Sequence, residues 1–177
     1  GPRVGPVILS EVLYAPATLS ATDLEFVEIH NPTGLPVDLT GWRLGKDVDF
    51  DFPAGTIIAA GGTLVVTPFD PADPTNATRL SQFRAAYGID ASVPLVGGWA
   101  GELADTGGYV QLQRPDDPPA EDPTTIPYLI EDEVRYGTES PWPVAWAQSL
   151  QRVAVDAWGN DPSAWTAAAA TAGAYSP

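Results

Sequence analysis

Short runs of β-forming residues recur along this chain, and turns rich in Gly, Pro, Asn and Asp separate them about every 8–12 positions. This pattern predicts many short strands rather than long helices. The predicted strand segments are residues 7–14, 25–31, 37–39, 42–44, 48–52, 57–58, 64–66, 109–113, 133–136 and 149–152. Strands of this length and spacing are typical of an all-β protein built as a sandwich.

Alternate positions within these runs differ in polarity, and the alternation predicts which face of the strand each side chain occupies. Val27 and Ile29 fall on one side of their strand, while Glu28 and His30 fall on the other. Further along, the pair Gly61-Gly62 separates two apolar runs and favours a hairpin.

One segment has helical instead of strand periodicity. Leu80, Phe83 and Tyr87 recur at helical spacing within residues 79–88, and Gly88 is placed to end the helix. The sequence therefore predicts one short helix in an otherwise all-β chain.

The length of 177 residues suits one domain, and no internal repeat or second domain is visible. We predict a single domain over residues 7–177, with a core at 7–113 and an irregular C-terminal extension at 114–177. The opening Gly1-Pro2 is typical of a protease-cleavage scar, so residues 1–6 are interpreted as a cloning remnant or linker. On this interpretation the sequence is a piece of a longer protein, in which a signal peptide or flanking domains are expected.

Composition limits the classes of partner. There are 23 Asp and Glu residues against 8 Lys and Arg, a net charge of −15, which repels nucleic-acid phosphates and attracts cations. Cysteine is absent, so thiolate metal sites and disulfides are excluded. No apolar run approaches the roughly 20 residues needed to span a bilayer. We expect neither nucleic-acid binding nor a membrane span.

Several motifs, in order, resemble the lamin tail domain in its bacterial form. They are the segments at residues 10–14, 25–31, 37–42, 52–55, 61–66, 99–103 and 106–112, followed by 132–136, 141–143, 149–152 and 160–165 in the extension. The resemblance implies an immunoglobulin-like β-sandwich. It also implies a non-catalytic module of a larger secreted or surface bacterial protein, so the expected localisation is extracellular or at the cell surface.

The resemblance leaves the ligand open. A binding or adhesion role through protein–protein contacts is the first hypothesis, and a structural role belongs to the same class. A carbohydrate-binding module and a calcium-stabilised spacer are the alternatives. With one His, no Cys and no Gly-x-Ser-x-Gly motif, we predict no enzymatic activity and no cofactor other than possible calcium.

Five aspartates are the candidate calcium ligands. Asp47, Asp49 and Asp51 occupy alternate positions and so share one strand face, while Asp70 and Asp73 lie in one Pro-rich loop. Calcium prefers oxygen ligands of this kind. The competing interpretation is an ordinary solvated strand face, because charged strand faces usually face water. No segment has the spacing of an EF-hand loop.

Tryptophans of the extension are the candidate ligand-binding residues, namely Trp142, Trp146 and Trp158. Exposed aromatic rings stack on sugars or on protein partners. The competing interpretation is that these rings close one end of the sandwich. Trp42 and Trp99 are expected to anchor the core.

Three in-strand polar residues complete the candidates. Glu11 and Glu28 are expected to form a structural pair, for which Arg43 is the nearest basic residue in sequence, with a ligand pair as the alternative. His30 lies before Asn-Pro and is interpreted as a turn or surface residue.

Overall fold

The apolar runs form thirteen strands within residues 5–175, the part of the chain that the computed structural model describes. In chain order β1 to β13 are Ile8–Leu13, Phe26–His30, Val37–Asp38, Arg43–Lys46, Val48–Asp51, Ile57–Ile58, Thr63–Thr67, Leu95–Gly97, Ala100–Gly101, Gly108–Pro115, Tyr128–Tyr136, Ser149–Arg152 and Trp165–Ala168. Three short 3-10 helices, Thr22–Leu24, Pro74–Asn76 and Pro162–Ala164, connect some of them.

The strands form two main sheets. A six-stranded sheet has the order β13-β12-β1-β2-β7-β8, and its pairs are antiparallel except for the parallel β7–β8 pair. A five-stranded antiparallel sheet has the order β11-β10-β4-β5-β9. Strands β3 and β6 make a separate two-stranded sheet.

The main core lies between the two large sheets. Val27 and Ile29 of β2 meet Val110 and Leu112 of β10 within one cluster of buried apolar side chains. Burying each such side chain stabilises the fold by about 1.5–3 kcal/mol before entropy is counted. The predicted β-sandwich and the predicted facing of Val27 and Ile29 are confirmed.

The helix α1, Ala77–Tyr87, packs on the outer face of the six-stranded sheet. Its buried residue Phe83 contacts Phe26 and Phe69 edge to face, in a second and smaller apolar cluster. Gly88 ends the helix with φ 63°, a left-handed conformation that glycine adopts without a Cβ penalty. The predicted helix is confirmed. Among the described residues, no helix is long and apolar enough to cross a membrane.

The C-terminal extension supplies strands to both sheets, because β11 joins the five-stranded sheet and β12 and β13 join the six-stranded one. We expected residues after β12 to wrap irregularly, whereas 165–168 form β13 by pairing with β12. The hairpin expected at Gly61-Gly62 is wrong, since β6 pairs with β3 and β7 pairs with β2 and β8. Residues 1–4 of the expected linker lie outside the described residues.

Candidate functional site

The outer face of the five-stranded sheet carries the candidate binding site. Because Leu44, Val110 and Leu112 point into the core, their neighbours along β4 and β10 point outward. The strand register places Arg43 directly between Asp51 of β5 and Gln113 of β10. Strand alternation thus brings charged and amide side chains from three strands onto one surface.

A shallow groove of about 730 Å³ runs over this surface, and we call it the sheet-face groove. Its polar lining comes from Arg43, Lys46, Asp49, Asp51 and Gln113. Gly45 also lines it, and a Cβ there would lie 2.8 Å from Gln113 Nε2. The missing side chain of Gly45 therefore leaves room for the Gln113 amide.

A chain of hydrogen bonds orders the polar side chains beside the groove. Arg43 Nε donates to Gln113 Oε1 at 2.6 Å, Gln113 Nε2 donates to Gln111 Oε1 at 2.8 Å, and Gln111 Nε2 donates to Glu133 Oε2 at 2.8 Å. Burial raises the pKa of Glu133, but hydrogen bonds from Tyr109, Gln111 and Asn160 outweigh it and hold that pKa below its ordinary value. The chain of bonds therefore ends on a charged carboxylate.

Three basic side chains on the same sheet stack on aromatic rings. The Arg43 guanidinium lies 3.5 Å from the Tyr128 ring centroid, and Arg135 and Lys46 lie 4.0 and 5.6 Å from that of Tyr109. Such contacts contribute about 0.5–1 kcal/mol at exposed sites. The ion pairs formed within residues 5–175 are Arg79–Asp23, Arg114–Glu131 and Arg152–Asp132, so these three cations are not paired with a carboxylate there.

Comparison with known proteins identifies the family. Residues 2–113 match the profile of the lamin tail domain. The chain belongs to the lamin tail domain family. This is an immunoglobulin-like domain that is generally non-catalytic.

One solved structure shares the fold. It is a DUF4876 family protein from Bacteroides thetaiotaomicron, similar with a TM-score of 0.54 and 14% sequence identity, over 86% of this chain and 63% of that one. This lamin tail domain therefore spans less than two thirds of that protein's length. No curated protein matches the chain.

The five candidate calcium ligands of this lamin tail domain do not come together. Asp49 and Asp51 line the sheet-face groove, whereas Asp47 Oδ2 accepts a hydrogen bond from the Tyr109 amide at 2.7 Å. Asp70 Oδ1 accepts from the Ala72 amide. Within residues 5–175 no three acidic or His side chains converge in a way that could hold a metal ion.

Asp73 has a local structural role. Its Oδ1 accepts hydrogen bonds from the Thr75 amide at 2.9 Å and the Thr75 hydroxyl at 2.8 Å, so it caps the 3-10 helix Pro74–Asn76. These bonds lower the pKa of Asp73. Helix capping therefore explains why an aspartate occupies this position in the loop.

The candidate tryptophans differ in exposure. Trp146 is 57% exposed and Trp158 is 40% exposed, whereas Trp142 is half-buried and packs on the core and on Gly137. Two of the three side chains therefore offer ring surface to a ligand. Trp99 is buried, and Trp42 packs partly buried against the same core, as expected.

Three polar residues lie in surroundings that the sequence did not predict. The expected pairing with Arg43 is wrong, because Glu11 and Glu28 are buried directly opposite each other and Arg43 contacts Gln113 and Tyr128 instead. His30 is also not a surface residue: it is buried in β2, and burial lowers its pKa. The outward alternation of β2 was visible in the sequence, but nothing there indicated that this face is covered.

Proposed function

We propose that this chain is a non-catalytic recognition module of a larger secreted or cell-surface bacterial protein, and that it contacts a protein partner through the sheet-face groove. One observation carries the proposal. In a protein of net charge −15, Arg43, Lys46 and Arg135 lie on one sheet without a carboxylate partner among the described residues. Cations held on aromatic rings can bind a partner's acidic groups, while Asp49 and Asp51 meet its basic groups.

Two features in and beside the groove are typical of protein-contact surfaces. Arg43 lines the groove and lies against Tyr128, and both residue types are enriched at interfaces. Charges of both signs on one surface favour specificity and correct orientation of the partner. The hydrogen bonds from Arg43 through Gln113 to Gln111 hold these side chains in place before binding. Preorganisation of this kind reduces the entropy lost on association.

Site-specific crosslinking tests this proposal. A photo-reactive amino acid replaces Asp49 in the groove and, as the matched control, Leu35, which is 73% exposed and does not line the groove. With surface proteins of the producing cells, we expect one discrete adduct from position 49, lost on Arg43→Ala, and none from position 35. The crosslinked protein is then purified and its affinity measured by calorimetry. Equal adducts at both positions, or no adduct at position 49, would contradict the groove as the binding site.

Carbohydrate recognition is the second candidate, supported by the exposed rings of Trp146 and Trp158. On a glycan array this candidate predicts a signal that Trp146→Ala or Trp158→Ala removes and Arg43→Ala leaves unchanged. Trp142→Ala is a poor probe, because that side chain packs on Gly137 and its loss also affects folding. A signal lost only with Arg43→Ala would assign glycan binding to the groove instead.

A calcium-stabilised spacer is the third candidate. Calcium at about 100 times its dissociation constant would add about 2.7 kcal/mol of stability. Thermal midpoints in calcium and in magnesium at matched ionic strength separate binding from screening. A calcium-specific rise in the thermal midpoint that Asp49→Asn abolishes would support a calcium site at the groove. Equal midpoints in calcium and magnesium would contradict the calcium-stabilised spacer.

A further inference from the structure

The last described segment of the chain crosses the outer face of the six-stranded sheet. We call residues 171–175 the C-terminal strap. Thr63 Oγ1 donates to the Gly173 carbonyl at 3.0 Å, and the Tyr175 ring lies 4.6 Å from the His30 ring. No residue of the strap belongs to a helix or strand. The strap can therefore leave the sheet without breaking a strand ladder.

Beneath the strap lies a pair of acidic side chains, Glu11 of β1 and Glu28 of β2, which we call the carboxylate pair. They are direct cross-strand neighbours, 1% and 0% exposed, and neither forms an ion pair within residues 5–175. Like charges placed directly opposite each other destabilise a sheet. Two charged carboxylates at this position would be costly, because within residues 5–175 no cation forms an ion pair with them to offset their burial.

The strap itself is bonded to the carboxylate pair. The Thr171 amide donates to Glu11 Oε1 at 2.8 Å, and the Thr171 hydroxyl donates to Oε2 at 3.1 Å. The Gly173 amide donates to Glu28 Oε2 at 2.8 Å. Ser149 Oγ also donates to Glu11, at 2.5 Å, from strand β12. The strap is therefore bonded directly to both members of the carboxylate pair.

The surroundings of Glu28 suit a neutral acid. Ser10 Oγ lies 2.7 Å from Glu28 Oε1 and 3.2 Å from the Glu28 carbonyl oxygen. A protonated Glu28 can donate to this hydroxyl, which in turn donates to the carbonyl. Burial, and then the charge of Glu11, raise the pKa of Glu28 to about 8, although bonds from Ser10 and Gly173 oppose this. Burial raises the pKa of Glu11 as well.

We infer that the C-terminal strap is a pH-operated latch, closed while the carboxylate pair holds a proton and released when both side chains are charged. On deprotonation a proton leaves Glu28 for solvent, and two unpaired carboxylates then face each other. Opening the strap breaks the hydrogen bonds that Thr171 and Gly173 donate to the pair, and water replaces these donors and solvates both charges. The strap separates two cavities of about 140 and 500 Å³, each lined by Ala174 and Tyr175, so release joins them into one cleft.

The other titratable groups near the pair do not supply a compensating charge. Burial raises the pKa values of Tyr87 on α1 and of Tyr175 on the strap, so both rings stay neutral. Burial lowers the pKa of His30, which is therefore neutral where Glu28 titrates. Arg152 lines the smaller cavity, but its charge is paired with Asp132 at 2.9 Å.

Thiol labelling tests the latch, because the chain has no cysteine and each variant carries one reactive group. Ala172→Cys reports on the strap, since Ala172 is 6% exposed. Ala174→Cys, at an exposed strap position, corrects for thiol ionisation, and Ala145→Cys, at a fully buried core position, reports global unfolding. The measured quantity is the iodoacetamide rate of each buried thiol divided by that of Ala174→Cys.

From about pH 6 to about pH 9.5 we expect the Ala172→Cys ratio to rise about tenfold or more and to exceed the Ala145→Cys ratio at every pH, because opening the strap requires less free energy than unfolding the whole domain. Glu28→Gln should abolish the rise. Glu25→Gln should leave it intact, because Glu25 also has a pKa raised to about 8, by burial and by Asp105 and Glu102, without bonding to the strap. A constant Ala172→Cys ratio, a rise unchanged by Glu28→Gln, or equal ratios at Ala172→Cys and Ala145→Cys throughout this range would overturn the latch.

Amide NMR signals of Thr171 and Gly173 give the second measurement, in the protein without a cysteine. They should change with the midpoint of the carboxylate pair and remain unchanged over the same range in Glu28→Gln. Signals that do not change with pH in the unmodified chain would also overturn the latch, whether or not the Ala172→Cys variant folds.

Discussion

The molecule buries acidic side chains in two places and holds them in different ways. Asp132 accepts hydrogen bonds from Arg152 Nη1 at 2.9 Å and Nη2 at 3.1 Å, and neither side chain is exposed. Glu11 and Glu28 are as deeply buried, but their donors are hydroxyl and amide groups. At the first site a cation is paired with the buried charge, whereas at the second, burial without a cation raises the pKa values of both carboxyl groups.

The difference follows from where the cations lie. The chain has 8 basic residues against 23 acidic ones, and within residues 5–175 none of the basic residues forms an ion pair with Glu11 or Glu28. A buried carboxylate without a cation is stable only if it is neutral or well hydrogen-bonded. Burial raises the pKa of Asp132 as well, but the charge and hydrogen bonds of Arg152 oppose that rise, whereas at the carboxylate pair only hydrogen bonds from uncharged groups oppose it.

Breaking the buried ion pair should have the largest effect. Arg152→Met leaves Asp132 charged and buried without its partner, and it removes the bonds from Arg152 to the Leu9 and Ala157 carbonyls. We expect the free energy of unfolding to fall by about 3–5 kcal/mol in urea titrations at neutral pH. The double variant Arg152→Met with Asp132→Leu should recover part of this loss, since no unpaired charge remains. A loss below about 1 kcal/mol in the single variant would contradict the buried-pair interpretation.

Glu28→Gln should have an intermediate effect that depends on pH. The folded state keeps the Glu28 proton up to a pKa of about 8, whereas the unfolded chain loses it near 4.5. The associated stability is therefore fully present below pH 4.5 and is lost as the pH rises through about 8. The amide of Gln can accept from Gly173 and donate to Ser10, so the variant keeps both hydrogen bonds without the charge.

Urea unfolding across this pH range measures the effect. Above the Glu28 pKa, the variant should be more stable than the parent by on the order of 2 kcal/mol, and at acidic pH the two should agree closely. Glu25→Gln is the control for a raised carboxyl pKa away from the strap. If the free energies of unfolding of the variant and the parent differ by the same amount at every pH, Glu28 does not titrate within this range.

The exposed ion pair should have the smallest effect. Arg79 Nε lies 3.1 Å from Asp23 Oδ2, and the two side chains are 52% and 49% exposed. Water and salt screen such a pair, so Asp23→Asn should change the free energy of unfolding by about 0–0.5 kcal/mol. A loss comparable to that of Arg152→Met would show that burial does not decide what an ion pair contributes here.

The sequence predicted which face of a strand a side chain occupies better than it predicted which residue that side chain contacts on the neighbouring strand. Period-two alternation was enough to place Val27 and Ile29 on the same face of their strand, because side-chain direction is a local property of a strand. The contact of Glu11 with Glu28 depends on register, and an irregularity between Leu9 and Glu11 shifts that register. A single sequence does not encode such a bulge in any simple pattern.

The candidate site was predictable in part for the same reason. Asp49 and Asp51 do share an outer face, as their spacing indicated. The groove also needs Gly45 and the amide of Gln113, which are brought there by long-range pairing of β4 with β10. Strand β13 was missed because its sequence, Trp-Thr-Ala-Ala, has few β-forming residues, and pairing with β12 decides its conformation.

Carbon-13 NMR titration of the side-chain carboxyl of Glu28 tests the central claim most directly, because it reports the protonation of that group alone. Its signal is assigned by its absence in Glu28→Gln. The proton held within the carboxylate pair predicts a midpoint of about 8. A midpoint at the ordinary value of 4.5 would contradict both the neutral acid at this site and the latch that depends on it.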